Sequence, residues 1–279
     1  MRLLGQTLVV ATAIGLALTV APACVDNDQS LYVRQVVAPP DTKSETGGCV
    51  YKPDATGTAL FEGTLDLLIA QNYSAVILVG NQLIQRSDNL SARAESNKAH
   101  LDGAIVRVTD ADGNDIREFT SPAAGFADNS NGIIASFGLA RVTLIDSATV
   151  NSLARSITTG KEKLVLANIK VFGETLGGVD LESGEFQFPI RICRGCLISF
   201  LGSDDPNSDG VDCNLQNTAA AAGGASDTLD RTKLPCQAGQ DEYLPCTACK
   251  GNRIPDPTDS SKTIDVCSSA ADQVKTNPQ

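Results

Sequence analysis

The fold is decided by the stretch Phe186-Gln187-Phe188-Pro189-Ile190-Arg191-Ile192-Cys193. Large apolar residues stand at every second position from Phe186 to Ile192, and the positions between them are mostly polar. Because successive side chains of a β-strand point to opposite faces, this period of two predicts a half-buried strand. Pro189 has no backbone N–H to donate, which predicts a free strand edge at that residue.

Outward from this strand, the region between Cys49 and Cys193 consists almost entirely of further strand patterns. Asp-Gly within Asp110-Ala111-Asp112-Gly113-Asn114 is a strong hairpin signal between two of them. The other candidate strands are rich in Val, Ile and Leu and lie at 65–69, 75–79, 105–109, 116–119, 139–145 and 164–172. One short helix is predicted from Ser147 to Arg155, with Asp146 or Ser147 as its N-cap.

About seven or eight strands without repeated βαβ spacing predict an all-β fold. We expect an antiparallel β-sandwich with an immunoglobulin-like layout, and a distorted barrel is the alternative. The chain has no Trp, so the Cys…Trp…Cys signature of antibody domains is absent and the likeness concerns architecture alone.

The N-terminal residues form an export signal. Arg2 precedes an apolar run from Leu3 to Val20, and Ala21-Pro22-Ala23 offers a small-residue cleavage site before Cys24. We expect residues 1–23 to be removed and Cys24 to carry lipid, with secretion without lipid or a retained membrane span as alternatives. Residues 24–48 are then a tether, in which the apolar patch at 31–37 could add an edge strand.

Nine cysteines are present, and an even number remains once Cys24 is set apart. Two segments with similar cysteine spacing suggest a duplicated loop. They are Cys193-x2-Cys196-x16-Cys213 and Cys246-x2-Cys249-x17-Cys267. We expect a β-sandwich domain at 49–196 and a tail at 197–279 that is loop-dominated and stapled by disulfides. Cys49 could tie the sandwich to the tail, but spacing alone leaves the connectivity open. The disulfide candidates are Cys49, Cys193, Cys196, Cys213, Cys236, Cys246, Cys249 and Cys267.

Two CxxC pairs, beginning at Cys193 and Cys246, also suggest zinc binding or thiol–disulfide exchange. The 49 residues between the pairs exceed the spacing of a compact zinc ribbon. A reactive thiolate is usually stabilised at a helix N-terminus, and neither pair is followed by a helical pattern. Structural disulfides are therefore the preferred interpretation.

Composition excludes several functions. The net charge of −11 argues against nucleic-acid binding. His100 is the single histidine, and we expect it at the surface or at a strand edge rather than in a catalytic site. The acid pair Asp241-Glu242 is expected to be solvated.

A calcium loop is conceivable at Asp205, Asn207 and Asp209, although Gln216 stands where the closing Glu is expected. No cofactor motif is found.

The export signal, Cys24, the strand-rich middle containing Leu78-Val79-Gly80-Asn81-Gln82-Leu83, and Cys193-Arg194-Gly195-Cys196-Leu197 opening a cysteine-rich tail occur in this order. In this arrangement the chain resembles cysteine-rich cell-envelope lipoproteins of myxobacteria and their relatives. The resemblance implies attachment to the outer membrane through the lipid, and it supplies no catalytic residue. We expect a non-enzymatic binding or structural module whose partner is an envelope protein or polysaccharide. The alternatives are an envelope thiol–disulfide oxidoreductase and a calcium-dependent adhesion module.

Overall fold

The computed structural model describes residues 30–41, 43, 48–85, 96–157, 161–199, 234–245, 253–255 and 261–265. Strands dominate these residues. In chain order they are β1 (Leu31–Val37), β2 (Ala59–Leu60), β3 (Gly63–Asp66), β4 (Tyr73–Asn81), β5 (Ala99–Asp110), β6 (Asp115–Ala127), β7 (Ser136–Ile145), β8 (Lys163–Thr175), β9 (Asp180–Glu182), β10 (Phe186–Cys193), β11 (Ile198–Ser199), β12 (Leu244–Pro245), β13 (Arg253–Pro255) and β14 (Thr263–Asp265). The helix α1 (Ser147–Ala154) lies between β7 and β8.

Two sheets build the body of the protein. The smaller has the order β2-β1-β4-β7, and the larger has the order β3-β10-β8-β5-β6 with β9 added beside β8. All pairs in the two sheets are antiparallel except β3 and β10, which run parallel. The short pairs β11–β12 and β13–β14 lie outside these two sheets.

Strand β10 has the predicted alternation. Phe188, Ile190 and Ile192 are buried, whereas Gln187 and Arg191 are exposed. The larger sheet continues from β10 to β3 only from Ile190 onward, so none of the described strands pairs with Pro189 on that side. Both predictions from this stretch are confirmed.

The core lies between the two sheets and is almost wholly aliphatic. Ile77 and Val79 of the smaller sheet share one buried cluster with Val106 and Ile169 of the larger. Tyr73 is one of the few aromatic residues in this cluster, and its side chain is fully buried. Val and Ile fit this environment because their branched side chains pack well on a pleated surface.

The sheets approach each other closely at one edge, where β6 lies against β7. Gly138 permits this approach because a Cβ atom there would collide with the backbone carbonyl of Phe126. The Ser121 hydroxyl accepts a hydrogen bond from the Thr143 N–H across the same edge, at 2.8 Å. The all-β prediction is confirmed, but an immunoglobulin-like layout is not, since the larger sheet contains the parallel β3–β10 pair.

Leu31–Val37 belongs to the smaller sheet and not to the tether to which the sequence analysis assigned it. This strand, β1, lies between β2 and β4 rather than at an edge. Leu31, Val33 and Val36 are buried in the common core. Pairing with β4 supplies the backbone hydrogen bonds that this apolar patch needs.

The predicted turn and helix are both present. Strands β5 and β6 form a hairpin in which Gly113 has a φ of +86°. The Asp110 carboxylate accepts hydrogen bonds from the N–H groups of Asp112 and Asn114. Asp146 caps α1 by accepting a hydrogen bond from Thr149. No helix in the described part of the chain has the length and hydropathy of a membrane span.

Candidate functional site

The CxxC segment at the end of β10 is closed by a disulfide between Cys193 and Cys196. Cys193 is 2% exposed, whereas Cys196 is partly accessible. Gly195 between them has a φ of +81°, a conformation that favours glycine. Of the two sulfur atoms, that of Cys196 therefore belongs to the more accessible residue.

Asp66 lies directly beside this disulfide. It ends β3, its Cα is paired with that of Cys193, and it is fully buried. Its carboxylate accepts backbone hydrogen bonds from Gly195 at 2.7 Å, Leu197 at 3.0 Å and Leu68 at 3.0 Å. Asp66 thus holds the loop that contains the disulfide.

Burial is the largest influence on the pKa of Asp66 and raises it above the usual range, and the three N–H donors oppose this rise. A carboxylate oxygen of Asp66 and the sulfur atoms of Cys193 and Cys196 lie within 4.8 Å of one another. Reduction of the disulfide would create two thiols beside a carboxyl group. These groups suit thiol–disulfide exchange, and as thiolates they could ligate a soft metal ion.

A second cysteine segment is fixed to the two-sheet body by Cys236. This residue forms a disulfide with Cys49, 187 positions earlier. The Cys236 N–H donates to the Glu242 carboxylate at 2.6 Å, and the same carboxylate pairs with the Lys43 ammonium group at 2.6 Å. The Lys43 side chain is only 6% exposed. A covalent bond and a largely buried ion pair therefore hold the segment 234–245.

Asp241 links the same segment to β3 and β4. Its carboxylate accepts hydrogen bonds from the Tyr73 hydroxyl, at 2.9 and 3.0 Å, and from the Thr64 N–H at 2.8 Å. The backbone of Asp241 has a φ of +59°, in the left-handed region that few residues other than glycine adopt. Burial raises its pKa to about 6, the nearby Glu242 carboxylate adds to the rise, and its two donors oppose it.

A small cleft separates this segment from β1 and β4. Tyr51, Tyr73 and Gln237 contribute to its lining, and it has room for about one water molecule. Burial raises the pKa of Tyr51, which the guanidinium group of Arg141 partly offsets. The cleft thus belongs to the packing of the segment 234–245 on the two-sheet body.

The structure reveals two carboxylates that the sequence analysis missed or misplaced. Asp66 interrupts the apolar run 65–69, and an acidic residue in a buried strand was the available signal. Asp241 was expected to be solvated together with Glu242. That expectation is wrong, because both side chains bond to groups of the folded body.

His100 lies on β5 with a partly exposed side chain. Its Nδ1 is 2.8 Å from the Asp102 carboxylate, and its ring packs on Phe126 with 4.8 Å between the centroids. It is therefore near the surface, as expected, but β5 lies between β6 and β8 and is not an edge strand.

The remaining site predictions lie outside the described residues. They are the lipidation site Cys24, the disulfide candidates Cys213, Cys246, Cys249 and Cys267, and the calcium candidates Asp205, Asn207 and Asp209.

No protein-family model matches the chain, and none of the curated proteins is similar to it.

Proposed function

We propose that the protein is an exported module of a bacterial cell envelope, anchored to the outer membrane by lipid on Cys24, that acts by binding or bracing rather than by catalysis. The observation that carries this proposal is the Cys49–Cys236 disulfide. Disulfides of this kind persist in oxidising compartments and are rare in the cytosol. The bond therefore agrees with the export signal at residues 1–23.

A braced scaffold suits a binding role. The two sheets share one core, and the segment 234–245 is fixed to them by Cys236, Glu242 and Asp241. Rigid sheets of this kind commonly present loops to a partner. The acidic net charge favours a neutral or basic partner surface over nucleic acid, and an envelope protein or polysaccharide fits that requirement.

The mass of the mature N-terminal peptide tests the anchor. The full-length gene is expressed in a bacterium with a lipoprotein-processing pathway, and the membrane fraction is digested. We expect a peptide that begins at Cys24 and carries acyl chains. Cys24→Ser is the matched control and should partition into the aqueous phase of a detergent extraction. An unmodified Cys24 in the mature protein would contradict the proposal.

A thiol–disulfide oxidoreductase is the second candidate, favoured by the carboxyl group of Asp66 within 4.8 Å of the Cys193–Cys196 sulfurs. A thiolate of a partner dithiol would attack Cys196 Sγ, form a mixed disulfide and expel Cys193 as a thiolate. The partner's second thiolate would then attack the partner's first sulfur, which is bonded to Cys196 in the mixed disulfide, and release Cys196 as a thiolate. The partner is left with a disulfide, and the CxxC pair is left reduced.

Redox titration in glutathione buffers separates the two candidates, and Cys49–Cys236 serves as an internal control. Oxidoreductase function requires Cys193–Cys196 to be reduced at much less negative potentials than Cys49–Cys236. It also requires Asp66→Asn to change the pH dependence of the exchange rate. Equal resistance of both disulfides to reduction would exclude this candidate and favour the bracing role.

A further inference from the structure

Exposed apolar side chains collect at one end of the sandwich. Ten large apolar side chains are exposed among the described residues, and six of them lie where β4, β6 and β8 end. We call this region the apolar end. Its members are Ile84, Phe126, Ile133, Ile134, Leu176 and Val179. Ile133 is the most exposed of them, at 88%.

Hydrogen bonds show that these segments share one end. Asn81, the last residue of β4, donates from its side chain to the carbonyl oxygens of Asn97 and Ala127 at 2.9 and 3.3 Å. Asn97 donates in turn to the Ile84 carbonyl at 2.7 Å. The Leu176 N–H donates to the Lys98 carbonyl at 2.9 Å, which brings the β8–β9 turn to the same place.

The N-terminal part of the chain joins the sandwich at this end. Leu31, the first residue of β1, is paired with Asn81, and the Gln82 N–H donates to the Ser30 carbonyl at 2.8 Å. Cys24 lies six positions before Ser30, and a fully extended chain of six Cα–Cα steps reaches about 20 Å. A lipid on Cys24 therefore holds the apolar end close to the bilayer surface.

The opposite end is too far away to take the same position. Strand β4 contains nine residues and spans about 26 Å. Phe61, which is 85% exposed, follows β2, a strand that pairs with Val36 and Val37 at the end of β1 away from the apolar end.

The charges of the apolar end favour a neutral lipid surface. The Lys98 ammonium group pairs with Asp128 at 2.7 Å and lies 5.3 Å from the centre of the Phe126 ring. The net charge of the chain is −11, which disfavours adsorption to anionic headgroups. Apolar contact at the boundary between headgroups and acyl chains is the remaining attraction.

We propose that the apolar end rests on the lipid bilayer, with Ile133 and Ile134 inserted at the boundary between headgroups and acyl chains. This inference rests on the proposed lipid anchor. Isolated isoleucine side chains bind a bilayer weakly, but a tether of about 20 Å raises their effective concentration at the surface and makes the contact persistent.

Tryptophan fluorescence tests the inference, since the chain contains no native Trp. Ile133→Trp and the matched control Phe61→Trp are prepared as lipidated full-length proteins in vesicles of neutral phosphatidylcholine. Some of the vesicles carry brominated acyl chains, which quench Trp at the boundary. We expect quenching of at least twofold for Ile133→Trp and little for Phe61→Trp.

The outcomes distinguish failure of this inference from failure of the proposed lipid anchor. If Cys24 is acylated and the protein floats with vesicles, equal quenching or no quenching at the two positions overturns the inference alone. Blue-shifted emission at position 133 without bromine quenching would place protein there instead of lipid, and it also overturns the inference. An unacylated Cys24 overturns the lipid anchor of the proposed function, and the inference fails with it.

Discussion

Asp241→Asn should make the protein more stable at neutral pH. The carboxylate of Asp241 is largely buried. Its ionisation above pH 6 therefore lowers the free energy of unfolding. An Asn side chain has nearly the same shape and no charge. Its amide oxygen can keep the hydrogen bonds from Thr64 and Tyr73, and Asn tolerates the φ of +59° better than most residues.

The size of the effect follows from the pKa of Asp241. Its value is about 6 in the folded state against 3.8 as the ordinary value. Between these values the folded state binds more protons than the unfolded chain, so the free energy of unfolding falls as pH rises through that interval. The difference amounts to about 3 kcal/mol, complete above pH 6. Imperfect replacement of the Tyr73 bond reduces the gain, and we expect about 1–3 kcal/mol at pH 7.5.

Urea unfolding at several pH values measures this effect. The quantity of interest is the difference between Asp241→Asn and the wild type, because other groups titrate equally in both. The difference should be at zero or slightly below it at pH 4 and should grow by about 3 kcal/mol between pH 4 and 7. A constant difference across this range, or a variant that loses stability above pH 6, would refute the argument that burial of the charge destabilises the native state.

Three further predictions concern the scaffold. Gly138→Ala should destabilise the protein by about 1–3 kcal/mol or more, because its Cβ would meet backbone of β6, whereas Gly184→Ala, with open space around the added Cβ, should leave the melting temperature unchanged. Asp146→Ala removes the cap of α1 and should cost about 1 kcal/mol in urea unfolding; no loss would mean that the cap is dispensable. Replacing Cys49 and Cys236 together with Ala should make cleavage by protease near 234–245 faster while the far-UV circular dichroism of the sandwich persists, and unchanged cleavage would contradict the bracing role of this disulfide.

Local patterns were sufficient to locate the longer strands between Cys49 and Cys193, although β5 begins six residues before the predicted range 105–109 and β6 ends eight residues after the range 116–119. The alternation in Phe186–Cys193 depends only on neighbouring residues, and so do the Asp-Gly turn at 110–114 and the Asp146 cap. Such features need little information from distant parts of the chain. They were therefore predicted almost residue by residue.

Long-range pairing explains what the sequence analysis missed. The role of β1 depends on β4, more than 40 residues later, so its short apolar patch appeared to belong to a tether. The partners of Asp241 lie 168 and 177 positions away. Composition suggests a solvated acid at such a position, because single-sequence patterns do not show which distant backbone groups need an acceptor.

The two disulfides of the described residues brace segments beside the core and not the core itself. The buried core cluster is drawn from the two sheets and the segments that connect them, whereas Leu197 and Leu244 are buried outside it. With so little apolar surface of its own, the segment 234–245 depends on bonds to the body. Strand β3 supplies several of these bonds, since the Thr64 N–H donates to the Asp241 carboxylate and the Thr64 carbonyl accepts from the Asp241 N–H. The Asp66 carboxylate of the same strand holds the loop before β11. Both described cysteine segments are therefore held by the same four-residue strand, and the buried carboxylate of Asp66 contributes by accepting three backbone hydrogen bonds.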